Sequence, residues 1–193
     1  MITRRNFIAT ATAGTAIAAG LPAHAFEVEE KFRPQQVRIK ADLLPGQILI
    51  LPRAHFLYFV TAPGQAIRYG VGVGRAGLEF TGDAVIQVKK EWPTWRPTQE
   101  MIERDPSSYG RFRNNDYVQP GGPTNPLGAR ALYLFQNGKD TLYRLHGTPE
   151  YWTIGKAVSS GCVRLMNQDI IDLFDRVATP SPIVVRHGPR GIA

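Results

Sequence analysis

The chain has 193 residues, 43% hydrophobic and 20% charged, which suits one globular domain with its own core and excludes a disordered or collagen-like polymer. A formal net charge of +7 suits attraction to an anionic polymer as well as ordinary solubility, while no basic run interleaved with aromatics points to nucleic acid. The one cysteine, Cys162, excludes an internal disulfide.

Residues 1–25 read as an export signal. Thr3-Arg4-Arg5-Asn6-Phe7-Ile8 carries a twin arginine, residues 7–21 are uncharged, and Ala23-His24-Ala25 is a small-x-small site, so cleavage is expected before Phe26. The uncharged stretch is short and rich in Ala, Thr and Gly, which makes it a poor membrane span, and no later segment is apolar enough to cross. The mature chain is therefore expected to be exported, periplasmic where an outer membrane exists, without stable membrane insertion after cleavage. Loss of Arg4 and Arg5 leaves a net charge of +5 (7 − 2).

A leader, 26–36, precedes a run of predicted strands at 37–39, 47–51, 55–60, 66–73 and 84–90. Pro45-Gly46, Pro52-Arg53, Pro63-Gly64 and Gly82-Asp83 separate them as turns. Leu49 and Leu51, then Phe56, Tyr58 and Val60, alternate as in half-buried strands, and His55 is structural there. Gly72-Val73-Gly74-Arg75-Ala76-Gly77 matches G-x-G-x-x-G, yet it leads through Gly82 into another strand. A dinucleotide site needs a helix at that point, so the segment is expected to be a loop between antiparallel strands.

Residues 91–130 change character. Thr98 is placed to cap a short helix over 99–104, with Glu100 in its first turn. Residues 109–119 are polar and expected to be exposed, and 120–128 are rich in Gly and Pro. A long irregular segment in a compact domain suggests a lid, for which Trp92, Trp95, Tyr109, Phe112 and Tyr117 supply an aromatic cover. Strands at 131–135 and 141–145 form a hairpin across Asn137-Gly138 and deliver His146. Asn167 is expected to cap a helix over 168–177 with Asp169 in its first turn and Ile170, Leu173, Phe174 and Val177 on its apolar face. A last strand at 183–185, a structural His187 and a loose tail at 189–193 complete the chain, with no repeat and no second domain.

The chemistry concentrates in Leu145-His146-Gly147-Thr148 and Ser159-Ser160-Gly161-Cys162-Val163-Arg164-Leu165, with His146 standing 16 residues ahead of Cys162 (162 − 146). A thiol attacks as thiolate, and a neighbouring imidazole is the usual proton acceptor. A buried, inert cysteine is the bland alternative, and composition does not choose between the two. The N–H groups of Gly161 and Cys162 are candidate oxyanion donors. Arg164 is a candidate for binding a substrate carboxylate or, equally, for a salt bridge behind the loop.

These two segments resemble the signature of the L,D-transpeptidase catalytic domain, the YkuD family: His-Gly-Thr, then Ser-His-Gly-Cys-Val/Ile-Arg. Trp-x-Pro-Thr followed by Gly-Gly-Pro-x-Asn-Pro-Leu-Gly, within 92–128, is a second and separate match, and the resemblance covers roughly residues 37–186. It implies a mainly β fold, a mixed-sheet β-sandwich with one or two short helices and a long lid-like loop, as a catalytic domain over 37–188. It implies a peptidoglycan L,D-transpeptidase in which Cys162 is the nucleophile, His146 the base and the Gly147 carbonyl the group that orients the imidazole. Cys162 would form a thioester with the third residue of a tetrapeptide stem, release D-Ala, and pass the acyl group to an amine. That amine would belong to a second stem, a D-amino acid or an envelope protein. Arg164, Ser160 and Trp95 are the substrate-binding candidates, Gly161 a backbone support, and no metal or organic cofactor is required. Ser160 stands where the family pattern has histidine; that second histidine is not the base, so the substitution bears on the tuning of the thiol and the choice of acceptor. Three other readings stay open on the residues: a hydrolase with water as acceptor, a wall-binding module with an idle cysteine, and a zinc site through Cys162, His146 and His187, whose spacing fits no common pattern.

Overall fold

The structure, a computed structural model, describes residues 27–186. The expected export signal, His187 and the tail lie outside the described residues. Short β-branched runs punctuated by turns form β1 (Gln35–Arg38), β2 (Ile48–Leu51), β3 (Phe56–Ala62), β4 (Gln65–Gly70), β5 (Val73–Gly74) and β6 (Gly82–Glu91). After α1 (Gln99–Arg104) and α2 (Pro106–Tyr109) come β7 (Arg130–Gln136), β8 (Lys139–Thr148), β9 (Ala157–Ser159), β10 (Val163–Met166), α3 (Asn167–Arg176) and β11 (Ser181–Val185).

Nine strands join in one mixed sheet, ordered β1-β4-β3-β2-β11-β6-β7-β8-β10. β2 pairs with β11 and β8 with β10 in parallel, and the other neighbours run antiparallel. The expected sandwich is thus made by one continuous sheet whose two halves share a core: Ile50, Leu57 and Tyr69 from one half lie in the same cluster as Leu132, Leu145 and Leu165 from the other. The glycine segment departs from expectation. It is not a plain loop between antiparallel strands, because β5 lies inside it and pairs in parallel with β9. Val73 is buried there, and the Arg75 N–H donates to the Ser159 carbonyl at 3.1 Å, which ties this segment to the cysteine loop. Residues 27–36 are also part of the body of the domain, since Val28 and Phe32 pack with Ile154.

The hairpin turn needs two residues with positive φ, and Asn137 (52°) and Gly138 (75°) supply them. Further along β8 the pairing jumps from Phe135–Asp140 to Tyr133–Arg144, and in this bulge Leu142 takes φ 64°. α3 packs Ile170 and Leu173 against the sheet, and Val177 is buried just past its end, each burial worth about 1.5–3 kcal/mol. Lys89 closes its C-terminus by donating to the carbonyls of Phe174 and Val177. The cap at its other end is not the one expected. Met166 is the capping residue and Asn167 the first helical residue. The Asn167 amide instead accepts from the Ala129 N–H at 3.0 Å and donates to the Tyr151 hydroxyl at 3.3 Å, bracing the loop before β7.

The lid segment is built and anchored. The Thr98 hydroxyl accepts from the Met101 N–H as α1 begins. Phe112 is fully buried, contrary to the exposure expected of 109–119: it stacks with Tyr117 and meets Trp95 edge-on, which gives this polar stretch an apolar centre. Arg96 holds the far side, its guanidinium donating to the carbonyls of Phe112 (2.8 Å), Asn115 (2.5 Å) and Tyr117 (2.6 Å). Trp92 and Tyr117 remain about half exposed and do not cover the cavity described next.

Candidate active site

β8 presents His146 near its end, and β10 returns parallel to it with Arg164 opposite His146. Continuing that register back sets Cys162 beside Arg144, whose backbone N–H reaches the thiol. Cys162 and His146 therefore open into one cavity of about 400 Å³, whose wall includes Trp95, Ser160 and Arg164. That volume lies within the range of small-molecule sites. The structure thus brings the side chains of Cys162, His146, Trp95, Ser160 and Arg164 to one cavity, and the Gly147 carbonyl contacts the His146 ring.

His146 is buried, and its Nδ1 lies 2.5 Å from the Gly147 carbonyl. A carbonyl can only accept, so Nδ1 carries the proton and Nε2 the lone pair. Burial pushes the His146 pKa down to about 4, outweighing the Gly147 carbonyl that favours the cation; Arg164 and Arg144 push the same way as burial. Burial also raises the Cys162 thiol, against the Arg144 N–H and the charges of Arg144 and Arg164, which favour the thiolate. The resting pair is accordingly a neutral thiol and a neutral imidazole. Cys162 Sγ also lies 4.0 Å from the carbonyl of Leu142, the bulge residue of β8.

The cysteine loop is held by Ser159, a residue the sequence reading passed over. Its hydroxyl donates to the Cys162 carbonyl at 2.6 Å and accepts from the Gly161 N–H at 3.1 Å. This corrects the expectation for Gly161, because an N–H satisfied by a serine does not point at an oxyanion. The glycine is required for another reason. Its φ is 130°, and a Cβ there would lie 2.6 Å from the Leu78 carbonyl and 2.7 Å from the Tyr143 ring. The adjacent pair Ser159-Ser160 in a tight glycine loop was the available signal, since such hydroxyls often close local turns.

Arg164 lines the cavity and also pairs with Glu150 at 2.7 Å, so it has both the cavity position and the salt bridge that were open from the sequence. Arg144 is likewise committed, to Asp140 through two hydrogen bonds of 2.7 and 2.8 Å. Among the described residues no three His, Cys, Asp or Glu side chains gather as a metal site; His187, the third ligand of the zinc reading, lies outside them.

Residues 45–185 match the family model for the L,D-transpeptidase catalytic domain, YkuD. The chain is 32% identical over 158 residues to the probable L,D-transpeptidase ErfK/SrfK of Escherichia coli (strain K12), covering 81% of this chain and 48% of that protein. It is 32% identical to the probable L,D-transpeptidase YbiS of the same strain, over 75% of this chain and 45% of the other. The chain thus spans about half the length of these curated relatives. A Brucella melitensis crystal structure titled as a probable carnitine operon oxidoreductase caia is 54% identical, with a TM-score of 0.55 over 79% of this chain and 92% of that one. An L,D-transpeptidase from Mycobacterium smegmatis shares the fold at 18% identity and TM-score 0.51, over 72% of this chain and 58% of that one. With a family match over most of its length and its histidine and cysteine segments in one cavity, the chain belongs to the L,D-transpeptidase catalytic domain family.

Proposed function

We propose that the chain is a peptidoglycan L,D-transpeptidase that works through a thioester on Cys162. The observation that carries the reading is the His146 Nδ1–Gly147 carbonyl contact, which leaves the lone pair on Nε2 of a residue lining the cavity that also holds the only cysteine. When the carbonyl of the third stem residue enters, His146 Nε2 takes the thiol proton as sulfur attacks carbon. The Gly147 carbonyl steadies the imidazolium that forms. With the Gly161 N–H committed, the Cys162 N–H is the remaining candidate donor to the oxyanion. The imidazolium then protonates the amine of D-Ala, the C–N bond breaks, and the acyl group stays on sulfur. An incoming amine attacks the thioester, His146 accepts its proton, and the thiol leaves reprotonated.

Arg164 and Ser160 face the same cavity and would contact the stem. Trp95 and Tyr109 line the same cavity, and an aromatic wall of this kind would favour an amine over water as acceptor. The twin-arginine segment supports delivery of this chain to the periplasm, where the stems are; an envelope protein's amine is a further acceptor there. Intact mass and product analysis with a tetrapeptide muropeptide, with and without a D-amino acid, tests the proposal. An adduct and released D-Ala are expected from the native chain, with neither from Cys162→Ala. Release of D-Ala by Cys162→Ala would sink the nucleophile assignment, and tripeptide as the sole product across acceptors would make the chain a hydrolase.

A further inference from the structure

We propose that Asn167 is a positioning residue for His146: its side-chain amide wedges the Gly147–Thr148 peptide, so that the Gly147 carbonyl keeps facing the imidazole. The inference rests on the acyl-transfer reading above, which gives the imidazole's tautomer its consequence, and it concerns a residue outside the cavity wall. Gly147 has no side chain to hinder rotation of its peptide groups. The restraint comes from its neighbours. A Cβ on Gly147 would run into Asn167 Oδ1 and lie 3.1 Å from both the Ala129 nitrogen and Ile170 Cγ2. A Cβ on Gly128 would run into the same oxygen and lie 2.6 Å from the Gly147 carbonyl carbon and 2.8 Å from the Thr148 nitrogen. Asn167 Oδ1 thus fills a notch between two glycines, beside the peptide whose carbonyl contacts His146 Nδ1.

The amide is itself fixed on both sides. Its oxygen accepts from the Ala129 N–H at 3.0 Å, and its nitrogen donates to the Tyr151 hydroxyl at 3.3 Å. The Ala129 carbonyl in turn accepts from the Trp92 N–H at 2.8 Å, so the two ends of the lid segment close on the residue that Asn167 holds. The strand register brings Asn167 there: Met166, the residue before it, pairs with Thr148 in the parallel β8–β10 ladder. Without the amide oxygen the notch opens, the buried Ala129 N–H loses its acceptor, and the Gly147 peptide is free to turn. A carbonyl turned away no longer claims the Nδ1 proton. The imidazole then also carries its proton on Nε2, the nitrogen that must be empty to take one from the thiol.

The test reads the tautomer directly and the rate separately, on the full chain. Nitrogen NMR of the 15N-labelled imidazoles near neutral pH, with the His146 signals identified by their loss in His146→Gln, should show the proton on Nδ1 in the native chain. Asn167→Ala should give a mixture of the two tautomers. Its kcat for thioester formation from a tetrapeptide muropeptide should fall by about 10²-fold, the scale of a misplaced catalytic group. KM should stay within about twofold, because the residue lies outside the cavity wall. Asn167→Asp keeps the oxygen in the notch and should restore the tautomer and most of the rate. Asn167→Ser is one bond too short to fill the notch, yet leaves room for a water to answer the Ala129 N–H; it carries the same prediction as Asn167→Ala should that chain fail to fold. A native tautomer in a folded Asn167→Ala or Asn167→Ser chain, or an Asn167→Asp chain no better than these, overturns the proposal. A mixed tautomer with an undiminished rate would bear out the positioning and remove His146 as the base. A mixed tautomer in the variant, with no thioester even on the native chain, would remove the acyl-transfer reading alone.

Discussion

Acidification tests the resting state of the proposed catalytic pair. Burial sets the His146 pKa at about 4 and raises that of Cys162, so the base is already neutral and the thiol still protonated at mild acidity. Between about pH 7.5 and about pH 5.5 an ordinary imidazole titrating near 6.5 loses about nine-tenths of its neutral form. With a pKa of about 4, His146 loses only a few per cent over the same interval. The acylation rate should therefore stay nearly flat there and fall only as pH approaches 4. The assay is single-turnover thioester formation on the native chain, followed by intact mass after acid quench, at saturating tetrapeptide. A roughly tenfold fall with a midpoint near 6.5 would refute the neutral pair. It would mean that the imidazole is solvated in the working enzyme, or that the reactive form is a thiolate–imidazolium pair titrating in that range.

Other outcomes follow from single contacts. Gly161→Ala should cost about 2 kcal/mol or more in urea unfolding and abolish acylation, because the residue is at φ 130° and its new methyl would meet the Leu78 carbonyl and Tyr143 ring. Asp169, 3% exposed with Oδ2 unpartnered, is raised from 3.8 to about 7 by burial and then by Asp172. Its folded pKa lies above its unfolded one, so it is stabilising at low pH and that contribution is lost as pH rises from about 4 to about 7, up to about 4 kcal/mol. Asp169→Asn should recover about 1–2 kcal/mol near neutral pH in urea melts, the remainder being offset by the buried amide, and should gain nothing at low pH. Arg96→Ala should free the 112–117 carbonyls, raise KM for the stem several-fold with kcat largely kept, and increase hydrolysed tripeptide relative to aminolysis product.

Local physics was legible in the residues. Asn137-Gly138 sets a hairpin because both positions need positive φ, Thr98 begins a helix because its hydroxyl answers an orphan N–H, and Ile170, Leu173 and Val177 mark a buried face by their spacing. The histidine and cysteine segments, with their glycines, carried enough pattern to single out Cys162 and His146. What lay beyond was decided by contacts between residues far apart in the chain. The parallel pairing of β8 and β10 makes His146 and Cys162 neighbours, and no local periodicity encodes a crossover partner. Asn167 has the chemistry of a cap, yet the Ala129 N–H, 38 residues away, claims its oxygen. The Gly161 N–H was open to an oxyanion role until Ser159 folded back onto it. Phe112 sits in a polar stretch and is buried because Trp95 and Tyr117 meet it there. In each case the side chain's options are set by its chemistry, but which option it takes depends on the partner that the fold brings within reach.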